Sequence, residues 1–287
     1  MDVEHIVKEV LKELDVKMKE DNKTTSTENG RSNTGKQLEY KREKKVTVDN
    51  PNNLETIQRA QEITPARIGI GRTGTRMKTP NYLDFLVDHA AAQDAVFKDV
   101  EESTLKELNL PLLKSVAKDQ EEYLMNLDAG RKLDKESVEW LKKNAEKGKQ
   151  VQIVVSDGLS STGTSETVPD LLSALKQGLE LKNITMGTPV FIKRSRVWIQ
   201  DEVANLVDCD VVISLIGERP GLATSKSISA YTIYRPNEDS VEADRTVFSN
   251  IHEDGVPPAE AGAHLADTIS EMLKYKSSGV KFAQRQD

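Results

Sequence analysis

A chain of 287 residues can form one large domain or two smaller ones, each with its own core. With 37% hydrophobic and 30% charged residues, no apolar run near the roughly 20 residues that span a bilayer, and acidic residues directly after Met1, it is expected to be soluble and without membrane or secretory segments. A net charge of −7 and 5% aromatics argue against nucleic-acid binding, while the lone Cys209 and dispersed histidines exclude an intrachain disulfide and point to a reducing cytoplasm without a metal site.

In residues 1–20, Val3, Ile6, Val7, Val10, Leu11 and Leu14 recur at helical spacing between charges and predict an amphipathic helix. Residues 21–45 contain Leu38 and Tyr40 as their only large apolar side chains, too few to offset ordering entropy, and read as a disordered linker. A short helix on such a tether suits docking in a partner's groove, the alternative being that it folds back on its own domain. Residues 46–148 read as a helical subdomain. Helices are expected over 53–61, over 80–89 after a permitted proline, over 105–116 with a break at Pro111, and over 135–146 with Gly148 beyond the end.

From 149 to 287 strands and helices alternate. Strands are expected at 151–155, 189–192, 211–216, 231–234 and 245–248; helices open at Pro169, span 198–207, and close the chain over 258–275. The expected fold is α/β, a Rossmann-like doubly wound sheet behind the helical subdomain.

In such sheets ligands bind beyond the carboxyl ends of the strands. The apolar run before Gly217 stops abruptly in Glu218, Arg219, Pro220 and Gly221, which is either a ligand-binding rim or a solvated turn. The first strand delivers Ser156, Asp157, Gly158 and Ser160; the second delivers Arg194, Ser195, Arg196 and Val197 beside Trp198; a later one delivers Arg245 to Asn250. Asp157, Arg194, Arg196, Glu218, Arg219 and Asn250 are thus expected around one crevice. Without a Gly-x-Ser-x-Gly elbow, Ser156 and Ser160 suit hydrogen bonding to a polar ligand better than nucleophilic attack.

Two further patterns point elsewhere. Gly69, Gly71 and Gly74 match G-x-G-x-x-G, yet no buried strand precedes them and no helix opens on the last glycine, so a dinucleotide site is not expected. Arg67, Arg72, Arg76 and Lys78 instead make this a cationic loop for an anion or an acidic partner surface. Asp88 and His89, among small alanines, read as polar groups at a helix-packing junction rather than as an acid–base pair.

Taken in order, GRTGTRMKT, FLVDHAAAQDAVFKDV, QIVVSDGLSS, MGTPVF, VVISLIGERPGL, VEADRT, SNIH and GVPPAEA resemble the small (light) subunit of ethanolamine ammonia-lyase over roughly Arg67 to Gly279. The resemblance implies a subunit of an adenosylcobalamin enzyme that converts ethanolamine to acetaldehyde and ammonia. It also implies that the small subunit covers the lower corrin face and its dimethylbenzimidazole nucleotide tail, against a large subunit that holds substrate and the adenosyl side. Family coenzyme contacts map to Val197, Glu218 and Val247; members with cysteine at the last position make a backbone or packing contact the expectation for Val247. Asp157, Ser160, Arg194, Arg196 and Arg219 join them as expected coenzyme-binding residues, with no catalytic residue and no metal ligand on this chain. The lack of Asp-x-His-x-x-Gly fits base-on binding. Family N-terminal extensions resemble encapsulation peptides, so the 1–20 helix is expected to dock on the shell of a bacterial microcompartment. Two other classes stay open: a stand-alone α/β enzyme acting on a phosphorylated small molecule, and a non-catalytic scaffold tying a partner to a shell.

Overall fold

The computed structural model describes residues 44–285. The helix expected at 1–20 and nearly all of the linker expected at 21–45 lie outside the described residues.

Val151–Ser156 (β4) and Val211–Gly217 (β6) are buried at every position, as strands covered on both faces must be. They form the centre of a six-stranded sheet in the order β3-β5-β4-β6-β7-β8, with β3 at Leu112–Lys114, β5 at Val190–Lys193, β7 at Ile228–Tyr234 and β8 at Thr246–Ile251. The first four strands are parallel; β7 and β8 are antiparallel additions. A separate two-stranded ribbon, β1 (Arg72–Thr73) with β2 (Arg76–Met77), lies in the chain between the first two described helices, α1 (Leu54–Ile63) and α2 (Thr79–Phe97).

Helices cover both faces of the sheet. The long helices Ser161–Leu181 (α6) and Pro258–Tyr275 (α8) bury Leu171, Leu175, Leu265 and Ile269 against Ile153, Ile213 and Leu215. On the opposite face, Lys135–Asn144 (α5) and Ile199–Val207 (α7) pack Leu141, Val203 and Val207 on Val154, Val212 and Ile233. Each such side chain contributes about 1.5–3 kcal/mol by leaving water. The two long helices touch almost backbone to backbone: a Cβ at Gly262 would sit 2.7 Å from Ala174 Cβ and 2.8 Å from the Leu171 carbonyl.

Several boundaries differ from those expected. The helix expected at 80–89 continues to Phe97. The 105–116 region is not one broken helix: Glu102–Leu108 (α3) ends at Asn109 in the left-handed region (φ 49°), and after Pro111 the chain becomes the edge strand β3. Pro111 has no N–H to give, but its carbonyl accepts Phe191 N–H at 2.9 Å and so starts the ladder with β5. Pro169 does not open α6 but sits inside it. The helix starts two turns earlier, where Ser160 Oγ accepts Gly163 N–H at 2.9 Å, and its polar first turns hid it from the apolar pattern. β7 starts at Ile228 and β8 runs on to Ile251.

The connection from β4 through α6 leads to β5 on one side, and that from β5 through α7 returns to β6 on the other. The strand order therefore reverses between β4 and β6, and this switch point puts the loops after Ser156 and Gly217 side by side.

Candidate functional site

The loops at the switch point are locked together through the backbone. Leu159 N–H donates to the Gly217 carbonyl at 3.0 Å, and a Cβ at Gly217 would fall 2.2 Å from the Asp157 carbonyl, so glycine is required there. Asp157 is buried and serves the neighbouring loop: its Oδ1 accepts Arg194 N–H at 2.7 Å and Ser156 Oγ–H at 3.2 Å. Burial pushes the Asp157 carboxyl up to about 6, only partly offset by hydrogen bonds from the Arg194 backbone, Ser156 and the Gly158 backbone. Because the folded form holds this proton more tightly than the unfolded chain, Asp157 favours folding at low pH, and that contribution is lost as pH rises from about 4 through about 6.

The loop after β5 is held from every side. Arg194 adopts φ 57°, with its carbonyl accepting Ser115 Oγ–H at 2.7 Å; the Ser195 carbonyl accepts Tyr123 Oη–H at 2.8 Å, and Arg196 N–H donates to the Gly130 carbonyl at 2.7 Å. The two arginine side chains are already engaged. Arg194 reaches Gln120 Oε1 at 3.2 Å and Asp99 Oδ1 at 3.1 Å, while Arg196 lies 4.5 Å from the Tyr123 ring centroid and donates to the Tyr123 carbonyl at 2.7 Å. Trp198 is covered in turn by the Arg131 guanidinium at 4.3 Å. This scaffold fixes Val197 at the entry to α7.

Ser160 is likewise occupied. Besides capping α6, its hydroxyl donates to the Ser225 carbonyl and so ties down the segment between β6 and β7. Arg219 in that segment is exposed. Arg67 also tethers it by donating to the Leu222 carbonyl at 2.9 Å, while pairing with Asp88. His89 is exposed; of the alanines that follow it and were expected to pack, Ala90 and Ala91 are exposed and Ala92 is half-buried. The G-x-G-x-x-G segment spans the approach to the β1–β2 ribbon and its turn, which form a sheet separate from the six-stranded one.

Glu218 is the side chain at the rim with a carboxylate set toward the antiparallel end of the sheet. Its Oε1 accepts Ser229 Oγ–H at 2.6 Å and Asn250 N–H at 2.9 Å. The second bond exists because β8 carries a bulge between its pairings with Ile228 and Ala230: Asn250 turns to φ 62° and its N–H is free to leave the ladder. Burial alone would raise the Glu218 carboxyl, but hydrogen bonds from Ser229 and Asn250 and the nearby His252 ring outweigh it and hold the group below the ordinary carboxylate value. His252 is buried, with Nε2 and Asn250 Oδ1 2.8 Å apart.

Strand alternation decides which face these groups share. Ile233 lies under α7, so Tyr231 and Ser229 are on the α7 face of β7; Val247 pairs with Tyr231, and Ser249 Oγ lies 3.0 Å from Ser229 Oγ on the same face. Arg245, two residues before Val247, reaches across to Asp201 in the first turn of α7. The Glu218–Ser229–Ser249 group and the Asp201–Arg245 pair thus stand at two ends of one sheet face, with Val247 on its outer strand. Val247 is 46% exposed, so none of the described helices covers the face there.

Of the residues expected at one crevice, the structure gathers Glu218 and Asn250 directly and brings Asp157 to the backbone of Arg194 next door. It does not bring the Arg194 guanidinium to this face. Val247 lies within β8 (Thr246–Ile251), paired with Tyr231, rather than in a rim loop, a correction to the expected placement. Ser229, Ser249, Tyr231, Asp201 and Arg245 were not singled out; they emerge only once the register of β6, β7 and β8 is known.

The model of the ethanolamine ammonia-lyase light chain matches residues 54–283, nearly the whole described chain. The chain belongs to this family. It is 48% identical over 238 residues to the ethanolamine ammonia-lyase small subunit of Clostridium tetani, covering 82% of this chain and 80% of that one. It is 44% identical over 237 residues to the small subunits of Listeria monocytogenes serotype 4a and Clostridioides difficile, in each case covering 83% of this chain and 81% of the relative. The matched region begins with α1 and ends in the last described helix, Gly279–Ala283 (α9), so it includes every strand of the six-stranded sheet and both α6 and α7. Among the described residues no helix is long and apolar enough to cross a membrane.

Proposed function

We propose that this chain is the small subunit of an adenosylcobalamin-dependent ethanolamine ammonia-lyase, and that it binds the lower face and nucleotide tail of the base-on coenzyme against a large subunit. What supports this reading is the match to the ethanolamine ammonia-lyase light chain over residues 54–283 together with the placement of two of the expected contacts at β7: Glu218 bonds Ser229 and Val247 pairs with Tyr231, while Val197 precedes α7, which packs on that face. The chemistry of these residues fits a large, mostly neutral ligand: Glu218 offers a half-buried, acceptor-only carboxylate to amide N–H groups, and Val197 and Val247 offer apolar contact. Beside Glu218 the His252 ring is buried and its Nε2 lies 2.8 Å from Asn250 Oδ1, which supports base-on binding.

When bound, adenosylcobalamin supplies radical chemistry through cobalt–carbon homolysis. This chain's part is to hold the lower side in register and keep water from it: the network of Ser115, Tyr123, Asp157 and Gly130 immobilises the backbone before Val197, and the β8 bulge aims Glu218.

A large-subunit partner is supported by α2. Tyr82, Leu83, Leu86, Val87 and Phe97 are 41–60% exposed along it, more contiguous apolar surface than one helix of a monomer ordinarily leaves in water. The test is ethanolamine deamination with adenosylcobalamin, using this chain and the large subunit separately and mixed. Activity only in the mixture is expected; activity of this chain alone, or none in a folded mixture, would refute the proposal.

The amphipathic pattern at 1–20 supports docking to a microcompartment shell, which would place the enzyme inside such a compartment in the cytoplasm. Deleting residues 1–20 should leave deamination unchanged and abolish co-localisation with shell protein. Encapsulation of the truncated chain would sink the idea.

A further inference from the structure

We infer that Arg67 is a positioning residue for the coenzyme: it fastens the loop that follows Glu218 to α2 and keeps the rim ordered before the coenzyme arrives, an inference that rests on the coenzyme-binding reading above. The segment 218–227 has two limbs of unequal support. Its second limb is pinned to α6, where the Ser225 carbonyl accepts Ser160 Oγ–H, the Lys226 carbonyl accepts Thr167 Oγ1–H at 2.7 Å and Lys226 Nζ lies 2.6 Å from Glu166. The first limb, Arg219 to Ala223, makes one turn of its own, Gly221 N–H to the Thr224 carbonyl at 3.1 Å. Among the described residues the one side chain that hydrogen-bonds this limb is Arg67, whose Nη2 donates to the Leu222 carbonyl at 2.9 Å.

The same Nη2 donates to Asp88, and the guanidinium lies 5.8 Å from the Phe85 ring centroid. Phe85 and Asp88 belong with Ala92 and Ala95 to one stripe of α2 that is wholly or partly buried, while Tyr82, Leu83, Leu86 and Val87 on the other side stay exposed. α2 is itself held at its far end, where Ser161 Oγ–H donates to the Ala95 carbonyl at 3.1 Å and Gln120 Nε2–H to the Val96 carbonyl at 2.6 Å. Arg67 therefore joins an anchored helix to a loop that begins beside Glu218, and Asp88 fixes which way its guanidinium points. Arg67 and Asp88 are 31% and 22% exposed in their side chains, so the pair adds direction here more than global stability. Without Arg67 the limb has to be ordered when the coenzyme binds, and that cost falls on affinity.

The experiment measures deamination by the assembled two-subunit enzyme over a range of adenosylcobalamin concentrations. Arg67→Met, which keeps the length of the side chain and donates nothing, should raise the coenzyme KM on the order of 3- to 30-fold and leave kcat at saturating coenzyme within about 2-fold. Arg67→Lys restores a donor and should lose less. Asp88→Ala should raise KM as well, and added to Arg67→Met it should cost little more, because the two act through one contact. Should Arg67→Met fail to assemble, Arg67→Lys and Asp88→Asn carry the same comparison. An unchanged coenzyme KM, a fall in kcat as large as the rise in KM, or additive losses in the double variant would overturn the role of Arg67 and leave the coenzyme reading intact. Wild-type activity that does not depend on adenosylcobalamin would overturn that reading and this inference with it.

Discussion

Glu218→Ala is expected to weaken adenosylcobalamin binding by the assembled enzyme on the order of 10- to 100-fold while leaving the chain folded, the loss of one or two hydrogen bonds to a charged acceptor. The fold should survive because Asn250 is exposed and its freed N–H can turn to water. Glu218→Gln retains an acceptor oxygen and should lose less. The pH dependence follows from the sign of the shift. A carboxyl held below its ordinary value contributes fully above that value and loses its contribution only as pH falls through the lowered one. Coenzyme affinity should therefore stay flat from neutrality down to about pH 5 as far as Glu218 is concerned. An unchanged dissociation constant in Glu218→Ala, measured by absorbance titration, would remove this residue from the site.

The second large effect lies at the other end of the same sheet face. Arg245 is 2% exposed in its side chain and pairs with Asp201 at 17% exposure, so Asp201→Ala leaves a guanidinium buried without its counter-charge. A loss of about 3–5 kcal/mol in unfolding free energy is expected by urea denaturation. Burial pushes the Asp201 carboxyl up despite the pull of Arg245, which means that desolvation outweighs attraction within the pair. The double variant Asp201→Ala with Arg245→Met should accordingly be more stable than Asp201→Ala alone, since it removes the stranded charge as well. A single-variant loss below about 1 kcal/mol would show that the pair does not brace α7 against β8.

The contrast between these two ends explains how much the sequence could tell. β4, β6 and α8 were legible because their apolar residues are nearly uninterrupted or strictly periodic, and burial on both faces of a central strand leaves no other solution. The rim was legible for the same reason, since a buried strand that stops at Gly217 must deliver the next residue, Glu218, to its carboxyl end. β3 was missed because its three residues expose two of their side chains and follow a proline, a pattern too short for any period. The first turns of α6 were missed because Ser161, Thr164 and Thr167 are buried through hydrogen bonds and close packing rather than through hydrophobicity.

Pairing across strands is a different kind of information. Nothing local to Tyr231, Val247 or Arg245 says that they share a face with Glu218; that depends on β7 being antiparallel to β6 and on the bulge at Asn250. Arg194 shows the converse. Its position after β5 was read correctly, but the guanidinium is drawn to Asp99 and Gln120, partners more than seventy residues away in sequence. The family resemblance supplied Val197, Glu218 and Val247 as a set; the strand register puts Val247 opposite Tyr231, and Glu218 bonds Ser229 of the same strand.

The most direct measurement is a structure of the two-subunit enzyme with adenosylcobalamin bound. The lower side of the coenzyme is predicted to lie against the sheet face that carries Val247 and ends at Glu218, with Glu218 accepting a hydrogen bond from it and Val197 and Val247 in contact. A coenzyme seated elsewhere, with this face open to solvent or covered by the partner chain, would contradict the account.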